Sequence, residues 1–253
     1  MSRSADFQAF ALLHVAGDPL VLFNVWDAGS ARAVAGAGAK AIATGSASVA
    51  AAFGYDDAEG LPLELALANA ARVVNAVALP VTIDFEGAYA VAPEAAAANV
   101  ARLAATGAIG CNFEDQIVGG EGLHPVQLQA ARIRAIREAV GPDFFINART
   151  DIFLKARLDS HDGAMVDAAL ERAHAYADAG ASGFFVPLLS DLALLDRCCA
   201  RSPLPVNFMA YPGAPSARDV AGTGVARISH GPFPHKAAMQ ALAEAAASAS
   251  LLD

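Results

Sequence analysis

Cysteine is nearly missing from this chain, with three among 253 residues. Cys198 and Cys199 are adjacent and Cys111 stands alone. An odd number without metal-ligand spacing argues against a disulfide framework and for reduced structural thiols. Basic residues are also in deficit: 17 against 26 acidic ones give a net charge of −9, which repels phosphate backbones and anionic lipid surfaces. Nucleic acid and membrane are therefore not expected as partners. A hydrophobic fraction of 55% and a mean hydropathy of +0.40 would suit a membrane protein, but alanine supplies much of that total. No run of about 18 uncharged apolar residues occurs. No charged start, apolar segment and small-residue cleavage site opens the chain, so the expected location is the cytoplasm.

What the chain does have is alternation. Apolar, β-branched or aromatic runs of strand length recur at 21–26, 41–44, 81–85, 109–113, 144–147, 183–187, 206–209 and 226–229. Segments with helical spacing lie between and after them at 30–37, 62–78, 93–106, 125–140, 164–179, 191–200, 216–221 and 234–247. Pro62, Pro93, Pro125 and Pro234 fall where a first helical turn needs no amide hydrogen, while Gly107, Gly141 and Gly180 follow helices. Eight alternations without a long linker predict an α/β fold, a single-domain (β/α)8 barrel spanning residues 1–253. The longest strand-to-helix connection, around 46–61, carries an acidic tip between Gly54 and Gly60 and reads as a mobile lid.

In such a barrel every strand ends on one rim, so residues distant in sequence meet around one pocket. Asp27, Gly45, Ser46, Asp84, Glu86, Glu114, Asp115, Arg149, Asp151, Asn207, Ser229 and His230 stand at or beside the strand ends. Asp84 and Glu86 share a face if the chain stays extended through Phe85. An acidic cluster facing one arginine suits a hard divalent cation and an anionic substrate, since Mg2+ prefers oxygen ligands and retains waters. Ordinary capping and solvation is the plainer account of such carboxylates, but two side by side without a cation repel. His230, His235 and Tyr211 read as hydrogen-bonded structural residues, and Trp26 as packing.

Six segments in this order, NVWDA (24–28), ATGSASVAA (43–51), GYDD (54–57), VTIDFEGAY (81–89), NFEDQ (112–116) and INARTD (146–151), resemble the isocitrate lyase and phosphoenolpyruvate mutase superfamily. The resemblance covers nearly the whole chain. It implies a Mg2+-dependent barrel enzyme, with Mn2+ as a substitute, that makes or breaks a bond next to a 2-oxo acid through an enolate. The family's metal carboxylates map onto Asp84, Glu86 and Glu114, some acting through water. Its carboxylate-binding loop maps onto Gly45, Ser46 and Ala47, its strand 5 arginine onto Arg149, and the acid of its gating loop onto Asp57, with Asp56 beside it as the other choice. Family members commonly exchange their last helix, so the alanine-rich segment 234–247 implies a homodimer or homotetramer.

Departures from the family pattern narrow the reaction. Isocitrate-type and methylisocitrate-type lyases carry a Lys-Lys/Arg-Cys-Gly-His signature after the strand 4 acid, whereas residues 117–124 here read IVGGEGLH. The phosphoryl-handling members place a lysine and an asparagine in that loop, where glycines stand here. The remaining expectation is a lyase that decarboxylates an oxaloacetate-like 2-oxo acid. The alternatives are a carbon-carbon lyase of the methylisocitrate or dimethylmalate type with Glu121 or His124 as its base, phosphonopyruvate or phosphoenolpyruvate mutase chemistry, and a non-catalytic 2-oxo acid sensor.

Overall fold

The computed structural model describes residues 3–250. In chain order these form α1 (Arg3–Leu12), β1 (Leu20–Leu22), α2 (Ala28–Gly36), β2 (Ile42–Ala43), α3 (Ser46–Ala52), α4 (Leu63–Ala76), β3 (Val81–Asp84), α5 (Pro93–Ala105), β4 (Gly110–Glu114) and α6 (Val126–Val140). The chain continues through β5 (Phe145–Arg149), a 3-10 turn (Leu158–Ser160), α7 (Gly163–Asp178), β6 (Gly183–Phe185), α8 (Leu192–Arg201), β7 (Val206–Met209), α9 (Ala217–Ala221), β8 (Arg227–Ser229) and α10 (Phe233–Ser250). All eight strands are parallel, in the order β1-β8-β7-β6-β5-β4-β3-β2. A single parallel bridge between Val25 and Thr44 joins the two ends, with the Val25 amide donating to Ala43 O at 2.8 Å and the Gly45 amide to Val25 O at 3.2 Å. The expected barrel is therefore present.

Alternation along each strand sorts its side chains. Val81, Ile83, Cys111, Phe113, Ile146, Phe184, Val206, Phe208 and Ile228 join the helices in one buried apolar cluster. Thr82, Asp84, Asn112, Glu114, Asn147, Arg149, Asn207, Arg227 and Ser229 occupy the alternate positions, which makes the barrel interior polar over much of its height. All three cysteines are free, and Cys111 and Cys198 are buried.

Two helices lie outside the expected alternation. In α1, Phe10 is wholly buried against Leu20, Leu22, Ala41, Ala43, Ile109 and Phe145, which closes the lower end of the barrel. In α3, Ser46–Ala52 turn half of the expected lid into helix, leaving 53–62 without a helix or strand. Asp27 is explained locally. Its carboxylate accepts the Ser30 amide at 2.7 Å and forms a capping box at the start of α2, so it serves the helix rather than the rim. Among the described residues no helix is long and apolar enough to cross a membrane.

Candidate active site

The upper strand ends surround a cavity of about 280 Å³. Its charged lining consists of Asp57, Asp84 and Arg149. Asn24, Gly45, Ser46, Ala47, Asn112 and Ser229 add polar edges, and Leu154, Phe185, Pro187, Leu188, Met209 and Phe233 add apolar ones. Gly45 lies close to β8's exit, where an added Cβ would stand 3.2 Å from the Gly231 carbonyl oxygen, a tight contact.

Asp84 closes β3 and is held by three contacts. Its amide donates to Thr44 Oγ1 at 2.9 Å, its Oδ2 accepts the Ser46 amide at 3.0 Å, and its Oδ1 accepts Asn112 Nδ2 at 3.1 Å. Of the three amides at the end of β2, Gly45's serves barrel closure and Ser46's serves Asp84. Glu86 sits at φ +52 and is 6% exposed. It accepts the Glu59 amide at 2.9 Å and the Tyr89 hydroxyl at 3.4 Å, while Glu59 accepts the Tyr89 amide at 2.7 Å. The tip of the 53–62 connection is thus fastened to the residues after β3.

Arg149 closes β5 under heavy constraint. Its Nε and Nη2 bind both oxygens of Asp151 at 2.6 and 2.9 Å, and its Nη1 lies 2.9 Å from Glu114 Oε2. Two of the five guanidinium hydrogens are bonded to Asp151, and Nη1 faces Glu114 as an ion pair, so the guanidinium keeps donors for a ligand in the cavity that it lines. Behind it, Asp115 accepts the Asp151 amide at 3.0 Å and pairs with Arg172 and Tyr176 at 3.0 and 2.8 Å. The Glu114 carboxylate also accepts Gln116 Nε2, and its backbone carbonyl accepts Gln129 Nε2 at 2.9 Å.

Burial first, and then neighbouring carboxylates including Asp84, push both Glu86 and Glu114 up to about 8. Among the described residues no three His, Cys, Asp or Glu side chains converge into a closed metal cage. A hard cation does not need one, because Mg2+ takes one or two carboxylates and completes its shell with water and substrate. An all-oxygen, mutually repelling acid cluster around Asp84 fits that demand, and a cation beside it would relieve the repulsion.

The expected site residues are distributed as follows. Gly45, Ser46, Ala47, Asp57, Asp84 and Arg149 line the cavity, and Asp56 does not. Glu86 and Glu114 lie behind its wall. Glu121 is exposed, and His124 faces an adjoining cavity with Glu59 and Arg132, so neither borders the site. His230 Nδ1 pairs with Leu22 O at 3.1 Å, His235 stacks edge-on to Trp26, and the Tyr211 hydroxyl donates to Ser190 at 2.9 Å. Sequence reasoning missed Asn24, Thr44 and Asn112. A signal existed, since asparagine is uncommon inside strands and recurs here at 112, 147 and 207.

This polar cavity closes one end of a parallel α/β barrel, and comparison with known proteins gives the chain a family. Phosphoenolpyruvate phosphomutase is the family that matches residues 10–250, and the chain belongs to it, within the isocitrate lyase and phosphoenolpyruvate mutase superfamily. The chain is 37% identical to an uncharacterised protein of Mycobacterium tuberculosis over 96% of its length and 89% of that protein's. It is 28% identical to 2-methylisocitrate lyase of Escherichia coli, over 81% and 70% respectively. The crystal structure of a putative phosphonomutase from Burkholderia cenocepacia superposes with a TM-score of 0.95 at 49% identity, covering 98% and 100% of the two chains. Relatives thus carry names of both lyases and mutases.

Proposed function

We propose that the chain is a Mg2+-dependent lyase that decarboxylates a small oxaloacetate-like 2-oxo acid. The observation that carries this reading is the lining of the cavity: among the described residues its charged groups are two aspartates and one arginine, and no cysteine, histidine, lysine or tyrosine borders it. Loss of CO2 needs an electron sink and a cation, and no general base. Asp84 would hold Mg2+ or Mn2+, with Glu86 and Glu114 acting through water. When bound, the ion supplies a Lewis acid beside the keto oxygen.

The chain's own side chains do the rest. The donors of Arg149 not spent on Asp151 bind the carboxylate that is retained, and its fixed charge offsets the negative charge that develops as the carbon-carbon bond breaks. Leu154, Phe185, Leu188 and Met209 exclude water, which disfavours a charged carboxylate relative to neutral CO2. The pair of electrons left on carbon then takes a proton from water. Asp57, on the 53–62 lid, covers the cavity when the lid is closed.

A second reading is a carbon-carbon lyase of the methylisocitrate or dimethylmalate type. It is favoured by Asp57, which reaches the cavity and could take a hydroxyl proton. Purified protein is incubated with Mg2+ and a panel of 2-oxo and 2-hydroxy diacids, and pyruvate is assayed. Release from oxaloacetate alone supports decarboxylation, release from a 2-hydroxy diacid supports the second reading, and binding without turnover supports a sensor.

Assembly as a homodimer or homotetramer belongs to the same proposal. In α10 residues 241–249 are all exposed, with Leu242 at 63%. Val21 on β1 and Phe23 just after it are each 49% exposed, both beside a groove of about 400 Å³ and Phe23 also beside one of about 390 Å³. Exchange of α10 with a second copy would cover both surfaces. A monomeric mass at micromolar concentration would contradict it.

A further inference from the structure

Below the cavity the barrel interior holds a cation with no counter-ion in contact. Arg227 is 1% exposed and, among the described residues, makes no ion pair. Its Nε donates to Ser229 Oγ at 3.2 Å, its Nη2 to Asn112 Oδ1 at 3.3 Å, and its Nη1 has no hydrogen-bond partner. Burial pushes its pKa down to about 9, so it still carries charge at neutral pH. Desolvating a charge without pairing it is expensive, and the mechanism above does not use this one.

The geometry around Asn112 supplies a use. Asn112 Oδ1 also accepts Asn147 Nδ2 at 2.9 Å, and Asn112 Nδ2 donates to Asp84 Oδ1 at 3.1 Å. An asparagine amide has a donor end and an acceptor end of nearly equal size. The pair Asn112–Asn147 is therefore reversible: both amides can turn over together and keep the bond between them. In the reversed state Asn112 would present its oxygen to the Asp84 carboxylate, acceptor against acceptor. Arginine has donors only. The carboxylate disfavours the reversed amide from above and the guanidinium from below, so Arg227 adds a second constraint that keeps the Asn112 oxygen turned down and its NH2 facing Asp84.

We propose that Arg227 is a positioning residue which locks the Asn112 amide and so fixes the orientation of the Asp84 carboxylate from beneath the site. It goes beyond the assignment of the reaction, and only its cation-binding arm rests on the reading of Asp84 as the ion's holder.

Three substitutions separate this role from packing. Arg227→Lys retains a donor-only charge, Arg227→Gln introduces a group that can accept, and Arg227→Met fills the space without polarity. The amide orientation is read by neutron diffraction or by side-chain amide NMR. Wild type and Arg227→Lys are expected to hold Asn112 wholly with its nitrogen toward Asp84, and Arg227→Gln and Arg227→Met, in which Asp84 alone opposes reversal, to show the reversed amide as a measurable second population. Arg227→Met should melt no lower than wild type, since it removes an unpaired buried charge.

Mn2+ affinity, measured by electron paramagnetic resonance, should fall at least about tenfold in Arg227→Met and stay within about threefold in Arg227→Lys. In an Asn112→Ala background the Arg227→Met change should add less than about threefold, because the residue through which Arg227 acts is gone. A wild-type protein with Asn112 oxygen toward Asp84, an Arg227→Gln or Arg227→Met protein that keeps the wild-type orientation, or an equal affinity loss in the Asn112→Ala background would overturn the proposal. If wild type binds no Mn2+, the cation assignment fails separately, and the amide orientation alone decides the role of Arg227.

Discussion

The two ends of the barrel differ in where they accept backbone strain. At the lower end the residues with left-handed backbone are Gly17, Gly38, Gly107, Gly141, Gly180 and Gly224, which adopt it freely. At the upper end Gly54, Gly119, Gly122, Gly213 and Gly231 adopt it too, but so do six residues with side chains: Ala58, Glu59, Glu86, Ala88, Tyr89 and Leu188. Each such residue costs roughly 1–2 kcal/mol, and all six border the cavity or the loops that frame it. The lower end seals with Phe10 and an uncharged His14 stacked on Phe145, ring centroids 4.4 Å apart. The upper end concentrates buried carboxylates around one arginine. The difference teaches that the bottom of this fold carries stability and the top spends some of it to hold charges in place.

The largest expected effect is at the top. Arg149→Ala should lower kcat/KM at least about a hundredfold, roughly 2.7 kcal/mol. It should also destabilise the protein by about 3–5 kcal/mol, because Glu114 and Asp151 lose their buried partner. Glu121→Gln and His124→Asn, outside the cavity, should each change kcat/KM less than about tenfold, and a loss matching that of Arg149→Ala would replace decarboxylation with base-assisted cleavage. At the bottom, Phe10→Ala should cost about 3–5 kcal/mol in denaturant unfolding while leaving kcat/KM near wild type. A proportionate loss of turnover there would erase the division between the ends.

Titration should separate the ends by sign. Burial holds His14 down to about 3, so the unfolded chain takes up a proton that the folded one refuses. Its stabilisation is complete above pH 6.5 and is lost as pH falls from 6.5 toward 3. Glu86 and Glu114, pushed up to about 8, behave oppositely: their contribution is present below pH 4.5 and is lost as pH rises from 4.5 to 8. Urea unfolding of His14→Phe should therefore flatten the acid side of the stability profile and leave the basic side unchanged. The smallest effect tests the glycine rule. Gly107→Ala, at φ +96 with Val74 Cγ1 3.0 Å from the added Cβ, should lose about 1–2 kcal/mol without altering activity.

Much of the fold was legible because parallel strands buried on both faces are short continuous apolar runs and their helices announce themselves by proline and glycine. The bridge that closes the barrel, Val25 to Thr44, involves one residue on each side and has no sequence signature. Helix α1 escaped because the short apolar run AFALL at 9–13 looks like any other until Phe10 has a hole to fill. At the site, residues with a formal charge on a strand end were easy to find. Asn112, Asn147 and Arg227 act inside the barrel, where meaning comes from which strand faces which, and Asn112 meets Arg227 across 115 positions of sequence. The motif also could not reveal that Arg149 is already hydrogen-bonded to Asp151 and paired with Glu114, or that the Ser46 amide is spent on Asp84.

The most direct test of a metal-assisted site at the top of the barrel is pyruvate release from oxaloacetate, with saturating Mg2+ and again with excess chelator, for wild type and Asp84→Ala. The prediction is turnover above the protein-free rate in wild type with Mg2+, and none above it in chelator or in Asp84→Ala. Turnover undiminished by chelator, or retained by Asp84→Ala, would contradict it.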